Sequence, residues 1–161
     1  MTELRIGVGV DAHAFGDGVP LVLGGVTIDH PRGLVGHSDG DVVAHALTDA
    51  LLGAAGLADI GALFPSDDER HRGADSLLLL AEAYRQVREA GFVLVNADCV
   101  LVGQEPRIAP HREAMRERLA CALDVGPGLV NVRATTTDRL GFTGRGEGLA
   151  AEAVALLRRE R

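Results

Sequence analysis

Asp11 and His13 stand two residues apart in the stretch Gly-Val-Asp-Ala-His-Ala-Phe-Gly (9–16). Along an extended strand such positions face the same side. A carboxylate and an imidazole therefore project together, with Ala12 facing away, and offer a divalent cation two ligands from one rigid element. A third ligand is sought in His-Ser-Asp-Gly-Asp-Val-Val-Ala-His (37–45). At 100° per residue Val43, Ala46, Leu47, Ala50, Leu51 and Ala54 share one side of a helix, and His45 falls nearly opposite the centre of that stripe. His37, Ser38 and Asp41 gather near the same helix start, which predicts a cleft. The positive dipole end and free N–H groups of a helix N-terminus suit an anion there. Asp11, His13 and His45 together give three nitrogen or oxygen ligands and leave one position open. That is the pattern of a catalytic zinc, whereas a structural zinc closes all four. Zinc so held acts as a Lewis acid on a phosphoryl oxygen.

A second candidate is Ala-Thr-Thr-Thr-Asp-Arg-Leu-Gly-Phe-Thr-Gly-Arg-Gly-Glu-Gly (134–148). Its threonines offer hydroxyls and N–H groups to phosphate oxygens. Asp138 suits a hard cation such as Mg²⁺, and Arg139 and Arg145 bring positive charge. A glycine-rich loop that merely caps a helix is an equally good reading of the spacing. The loop lacks the GxxxxGK[ST] pattern of a P-loop. In Gly-Gln-Glu-Pro-Arg-Ile-Ala-Pro-His (103–111), Arg107 sits between two prolines and suits the rim of a nucleotide site. Asp59 follows the first helix directly and is placed to reach the cleft, while Asp67, Asp68 and Glu69 read as a solvated charged loop.

The elements that must carry these residues follow from periodicity and turn chemistry. Leu4 to Ala14 reads as a strand, and Leu21 to Ile28 as a hairpin turning on Gly24-Gly25. Ser38 or Asp39 is expected to cap a helix that runs to Ala55 and stops at Gly56. A helix over 75–90, a strand over 92–102, a helix over 109–123, a strand over 129–136 and a final helix over 147–159 complete the pattern. It predicts an α+β, two-layer fold: a mixed four-stranded sheet covered by helices on one face, plus a small β-hairpin. No linker or repeat divides residues 1–161, so one domain is expected.

Composition sets outer limits. Of 161 residues 47% are apolar but only 3% aromatic, so Val, Leu and Ala must fill the core. The 21 glycines are about twice the usual share of roughly 7%, as tight turns or close backbone approach require. With 16 Lys+Arg against 23 Asp+Glu the net charge is −7, which argues against a general nucleic-acid binder. Cys99 and Cys121 lack metal-type spacing, and no segment reads as a signal or membrane helix. A soluble, cytoplasmic protein without a membrane partner is expected.

Taken jointly, Asp-Ala-His (11–13), the run 37–61, Leu-Phe-Pro (63–65), Gly-Ala-Asp-Ser (73–76) and the loop 134–148 closely resemble the 2-C-methyl-D-erythritol 2,4-cyclodiphosphate synthase family over essentially the whole chain. The resemblance implies a phosphorus–oxygen lyase of the non-mevalonate isoprenoid route. Its substrate would be 4-diphosphocytidyl-2-C-methyl-D-erythritol 2-phosphate, cyclised with release of CMP. It also implies a ferredoxin-like, chorismate-mutase-like trimer with active sites between subunits.

Site roles follow from the same resemblance. Asp11, His13 and His45 would bind Zn²⁺ or a similar divalent cation, with Ala12 also against substrate. His37 and Ser38 would fix the phosphates, and His37 and Thr136 would serve the transition state. Asp59 and Gly61 would line the erythritol pocket, and Ile60, Phe64 and Asp68 would also meet the substrate. Gly103, Pro106, Arg107 and Ala109, with Ala134, Thr135, Thr136 and Thr137, would hold cytidine and diphosphate. Asp138, where the family usually has glutamate, would help bind Mg²⁺ or Mn²⁺. Phe142 and Arg145 would line an axial cavity for an isoprenoid diphosphate. The chain departs from the common pattern further at Arg107 and Arg139 (lysines), Ser66 (aspartate) and Val10 (an aromatic). Two rivals make different products: a zinc hydrolase would leave an uncyclised bisphosphate, and a trimeric isoprenoid-binding module would bind without turnover.

Overall fold

The computed structural model describes residues 2–160. Its strands are β1 (Leu4–Asp17), β2 (Leu21–Leu23), β3 (Val26–Ile28), β4 (Arg32–Leu34), β5 (Phe92–Val102), β6 (Val130–Thr135) and β7 (Gly148–Arg159). Its helices are α1 (Val42–Ala55), α2 (Ile60–Leu63), α3 (Ser76–Glu89), α4 (Arg112–Ala122) and α5 (Gly141–Gly144). One sheet runs β4-β1-β7-β5-β6, and β2 and β3 form a separate hairpin. Among the described residues only β5 and β6 are parallel; the other sheet neighbours are antiparallel. This is the expected mixed sheet of four long strands with a hairpin, and the three-residue β4 adds a fifth strand at the edge of β1.

The expectation of a final helix is overturned. Residues 148–159 form β7, the central strand between β1 and β5. Ala, Leu and Glu favour a helix locally, but burial here alternates with period two. Leu149, Ala151, Ala153, Ala155 and Leu157 are buried, while Glu152 and Val154 are exposed. Pairing on both sides with long strands outweighs the weak intrinsic preference.

β1 carries its apolar residues on the unexpected side. Ile6, Val8 and Val10 are exposed, at 73%, 59% and 65%, while the alternating glycines face the helices. A β-carbon at Gly7 would overlap the Ala50 carbonyl oxygen, and one at Gly9 the Ala46 carbonyl oxygen. Strand and helix backbones thus meet directly, through Gly7 and Gly9 against Ala46, Ala50 and Ala54.

α1 is buried nearly all round, between β1, β7 and α3. A helix so placed is apolar on most faces, so the narrow stripe expected from the sequence is too small. Its cap is Asp41, not Ser38 or Asp39: the side chain accepts from Ala44 N at 3.0 Å and from Gly24 N and Gly25 N at 2.9 and 2.7 Å. The helix start is therefore sealed by the hairpin turn rather than open to an anion. Burial pushes the Asp41 carboxyl up to about 6, against the three N–H groups that favour its charged form.

Candidate active site and metal centre

Continuing along β1 from Gly7 and Gly9, the inward positions are Asp11 and His13. The close seat of α1 brings His45, in its first turn, against both. Asp11 Oδ2 lies 2.9 Å from His13 Nε2 and 3.0 Å from His45 Nδ1, and the two imidazole nitrogens are 3.4 Å apart. Tetrahedral bonds of about 2.0–2.1 Å place neighbouring ligand atoms roughly 3.3–3.4 Å apart. The observed triangle needs only a small expansion to accept a divalent cation on one face. Three half-buried donors, two imidazole nitrogens and one carboxylate oxygen, fit such an ion with a position left open.

The local electrostatics agree. Burial pushes the Asp11 carboxyl up, but the neighbouring His13 and His45 imidazoles outweigh it and hold the group at about 2. Conversely, the hydrogen bond to Asp11 raises the His13 imidazole above its ordinary value, against the cost of burial.

The triad opens on a cavity of about 200 Å³ that also meets His37, Ser38, Ile60, Gly61, Phe64, Ser66, His71 and Leu79. His37 Nε2 donates to the Asp68 backbone carbonyl at 3.1 Å. The Asp68 carboxylate lies 2.6 Å from Arg70 Nη2 and 3.6 Å from Nε2 of the cavity-lining His71. Asp59 caps α2 by accepting from Ala62 N at 2.9 Å, and Asp49, one turn beyond His45, accepts from Ile60 N at 2.8 Å. The turn that carries Ile60 and Gly61 is thereby tied to the same helix as the metal ligand.

The second cluster gathers at the C-terminal ends of the parallel pair β5 and β6. Leu101 and Val102 pair with Ala134 and Thr135, and Gly103 N donates to Thr135 O at 3.0 Å. The segments 103–109 and 134–139 therefore leave the sheet side by side, and Arg139 N donates to Gln104 Oε1 at 3.3 Å. Thr136 Oγ1 accepts from Asp138 N and lies 3.2 Å from Asp138 Oδ1. Asp138 and Arg139 both take positive φ, 51° and 70°. A cavity of about 610 Å³ lies here, lined by Phe15, His30, Arg32, Gln104–Arg107, Arg139 and Gly144–Gly146. It shares no lining residue with the metal cavity.

The sequence profile of the YgbB family matches residues 4–158. This chain belongs to the YgbB family. It is 60% identical over 154 residues to the 2-C-methyl-D-erythritol 2,4-cyclodiphosphate synthase of Moorella thermoacetica, covering 96% of this chain and 94% of that protein. Identity to the synthase of that name from Rubrobacter xylanophilus is 61% over 162 residues, covering 99% and 98%. Among solved structures, the bifunctional IspDF of Campylobacter jejuni superposes with a TM-score of 0.95 at 47% identity. That match covers 99% of this chain but 43% of the bifunctional one. A 2C-methyl-D-erythritol-2,4-cyclodiphosphate synthase in its CDP-bound form gives 0.86 at 42% identity, covering 95% and 99%.

In this YgbB-family chain, Asp11, His13, His37, Ser38, His45, Ile60, Gly61 and Phe64 meet around one cavity. Asp68 joins them through its carbonyl, and Ala12 faces away. Pro106, Arg107 and Arg145 line the other cavity, while Ala109, Thr135, Thr136, Asp138 and Phe142 are exposed and line neither cavity. Thr137 departs from the expected hydroxyl array, because its Oγ1 donates to Leu140 O at 2.6 Å inside the loop. Asp39, Asp49, His71 and Ser76 were not marked as site residues by the sequence. The contacts of Asp49 with Ile60 and of Asp39 with Ser76 span 11 and 37 residues, beyond the reach of local spacing.

Proposed function

We propose that this chain is a 2-C-methyl-D-erythritol 2,4-cyclodiphosphate synthase: a phosphorus–oxygen lyase that converts 4-diphosphocytidyl-2-C-methyl-D-erythritol 2-phosphate to the cyclic diphosphate and CMP in the non-mevalonate pathway. The observation that carries the reading is the meeting of Asp11, His13 and His45 beside His37 and Ser38, in a chain 54–61% identical to synthases of that name. An oxygen of the 2-phosphate attacks the β-phosphorus, the bond from that phosphorus to the CMP phosphate oxygen breaks, and CMP leaves with the electron pair. Such transfer depends on positioning and charge stabilisation, and joining two ends of one molecule is worth on the order of 7–11 kcal/mol when well oriented. His37, oriented by the Asp68 carbonyl, and Ser38 would hold phosphoryl oxygens. Ile60 and Gly61 would frame the erythritol. Residues 103–109 and Thr135 to Asp138 would hold the cytidine diphosphate, Thr136 meeting the transition state and Asp138 a Mg²⁺ or Mn²⁺ ion. A Zn²⁺ or similar ion on Asp11, His13 and His45 would supply Lewis acidity toward a phosphoryl oxygen.

We further read residues 1–161 as one domain that assembles as a homotrimer with active sites between copies. Two observations support this: the exposed row Leu4, Ile6, Val8 and Val10 on β1, and the separation of the two cavities within one chain. Phe142 and Arg145 would then lie toward an axial cavity suited to an isoprenoid diphosphate. Incubation with the cytidylated substrate and both metals, followed by phosphorus NMR, tests the assignment. Two coupled endocyclic phosphorus signals plus CMP are expected. An uncyclised bisphosphate would make the protein a hydrolase, and binding without turnover would make it a carrier.

A further inference from the structure

We propose that Asp39 and Ser76 are positioning residues that set the tautomer of His45, so that its Nδ1 lone pair faces Asp11 and His13. The idea rests on the cation-site reading above, but the ring state it concerns exists without metal or substrate.

His45 presents its two nitrogens to different neighbours. Nδ1 faces Asp11 Oδ2 at 3.0 Å and His13 Nε2 at 3.4 Å. Nε2 points the other way, 2.9 Å from Ser38 Oγ and 2.8 Å from Ser76 Oγ. A hydroxyl either donates or accepts, so neither serine alone says which nitrogen bears the hydrogen. Asp39 decides it. Its Oδ1 accepts from Asp41 N at 3.1 Å and its Oδ2 from Ser76 N at 3.0 Å. The Ser76 hydroxyl makes a short hydrogen bond to Oδ1 as well. A carboxylate only accepts, so the single hydroxyl proton of Ser76 is committed to Asp39. Toward His45, Ser76 Oγ is left only as an acceptor, and Nε2 must carry the ring hydrogen.

The chain of bonds is rigidly mounted. Ser76 is fully buried at the start of α3. Two backbone bonds, Asp39 N to Ala74 O at 3.2 Å and Gly73 N to His37 O at 2.8 Å, clamp the segment before α1 to the segment before α3. Asp75, not Ser76, caps α3, so the Ser76 hydroxyl is not needed to start that helix. Asp11 draws the other way, because its carboxylate would also favour a hydrogen on Nδ1. His13 Nε2, 2.9 Å from the same oxygen, gives Asp11 an alternative donor. Partners of this kind beyond the ligands commonly govern ring orientation and tautomer, and their loss costs about 10–100-fold in metal affinity.

Nitrogen-15 NMR of the metal-free full-length protein, at a pH well above the ordinary imidazole value of about 6.5, tests this. His45 is expected as the Nε2–H tautomer. In Ser76→Ala, Ser38 is left with an uncommitted proton, so both tautomers should appear and zinc affinity should fall about 10–100-fold. Ser76→Thr, which keeps the hydroxyl, should restore both readouts. A wild-type spectrum showing Nδ1–H overturns the proposal by itself, even if the alanine variant does not fold. An unchanged tautomer and unchanged affinity in folded Ser76→Ala does so too. Neither readout involves the cyclisation, so failure here and failure of the synthase assignment are separate results.

Discussion

The two halves of the candidate site are built in opposite ways. Around Asp11, His13 and His45 the side chains are half-buried and joined by hydrogen bonds on β1, α1 and α3. Around Thr135, Thr136 and Asp138 they lie exposed at strand ends, bonded mostly to their own loop. The first half is bonded across three elements of the chain, and the second stands open to solvent. Groups that must hold a fixed triangle sit where two backbones touch. The threonines and carboxylate proposed above to hold the substrate sit on an exposed turn instead.

Mixing variants gives the most forceful test of this division. His45→Ala and Thr136→Ala should each lower turnover by about 10³-fold or more, as expected for losing several kcal/mol of transition-state stabilisation. If the halves come from different copies, trimers formed from an equal mixture of the two should regain about one quarter of wild-type sites, by random assembly around a threefold axis. No recovery in the mixed trimers, measured as CMP release, would put both halves in the same chain.

Gly9→Ala attacks the metal half through the backbone. The added methyl overlaps the Ala46 carbonyl, so α1 must move away from β1. We expect a loss of about 1–3 kcal/mol in stability by denaturant titration, together with a zinc content well below one per chain. A variant of normal stability and full zinc content would show that the close helix seat is not what assembles the triad.

A milder effect comes from protons. A cation on His13 must displace the proton that Asp11 helps to retain, since metal ligation needs the neutral ring. Because the His13 value is raised, affinity should climb with pH through and beyond the ordinary imidazole value of about 6.5, by up to about tenfold per unit. Asp11, at about 2, stays ionised throughout. Competition titrations with a chelator across that range check the slope, and a flat profile would remove His13 from the ligand set. The smallest change is expected in the exposed half: Asp138→Ala should raise the magnesium requirement a few-fold, as suits an outer carboxylate on a hydrated ion, and leave bound zinc untouched. An unchanged magnesium titration would dismiss that carboxylate.

What was legible in the sequence follows the same division. Asp11 and His13 could be read as a pair because strand geometry has a strict period of two, and their meeting with His45 could be argued from one helix. The hairpin at Gly24-Gly25 and the strands over 92–102 and 130–135 were marked by turn residues and β-branched runs. Hidden from it were the pairings and caps whose partners are distant in the chain and carry no spacing signal. Asp41 looked like one more polar group at a cleft, yet it is the buried cap that receives the hairpin. The alanine-rich stretch over 148–159 looked helical because its partners on β1 and β5 lie 48 or more residues away in the chain. The glycine excess was noted, but its use at Gly7 and Gly9 required knowing which helix they would meet.

The position of β7 sets the order in which the molecule can be finished. Every other strand precedes it, yet it occupies the middle of the sheet. While a ribosome is still extending the chain toward residue 148, β1 and β5 have no common neighbour, and the layer that seats α1 has a gap at its centre. A stretch with native leaning toward the helix is a safe one to leave waiting, since it offers nascent chains little to zip onto. Asp11, His13 and His45 are made early, yet the sheet beneath the helix that carries His45 is closed only by a strand made after all the others.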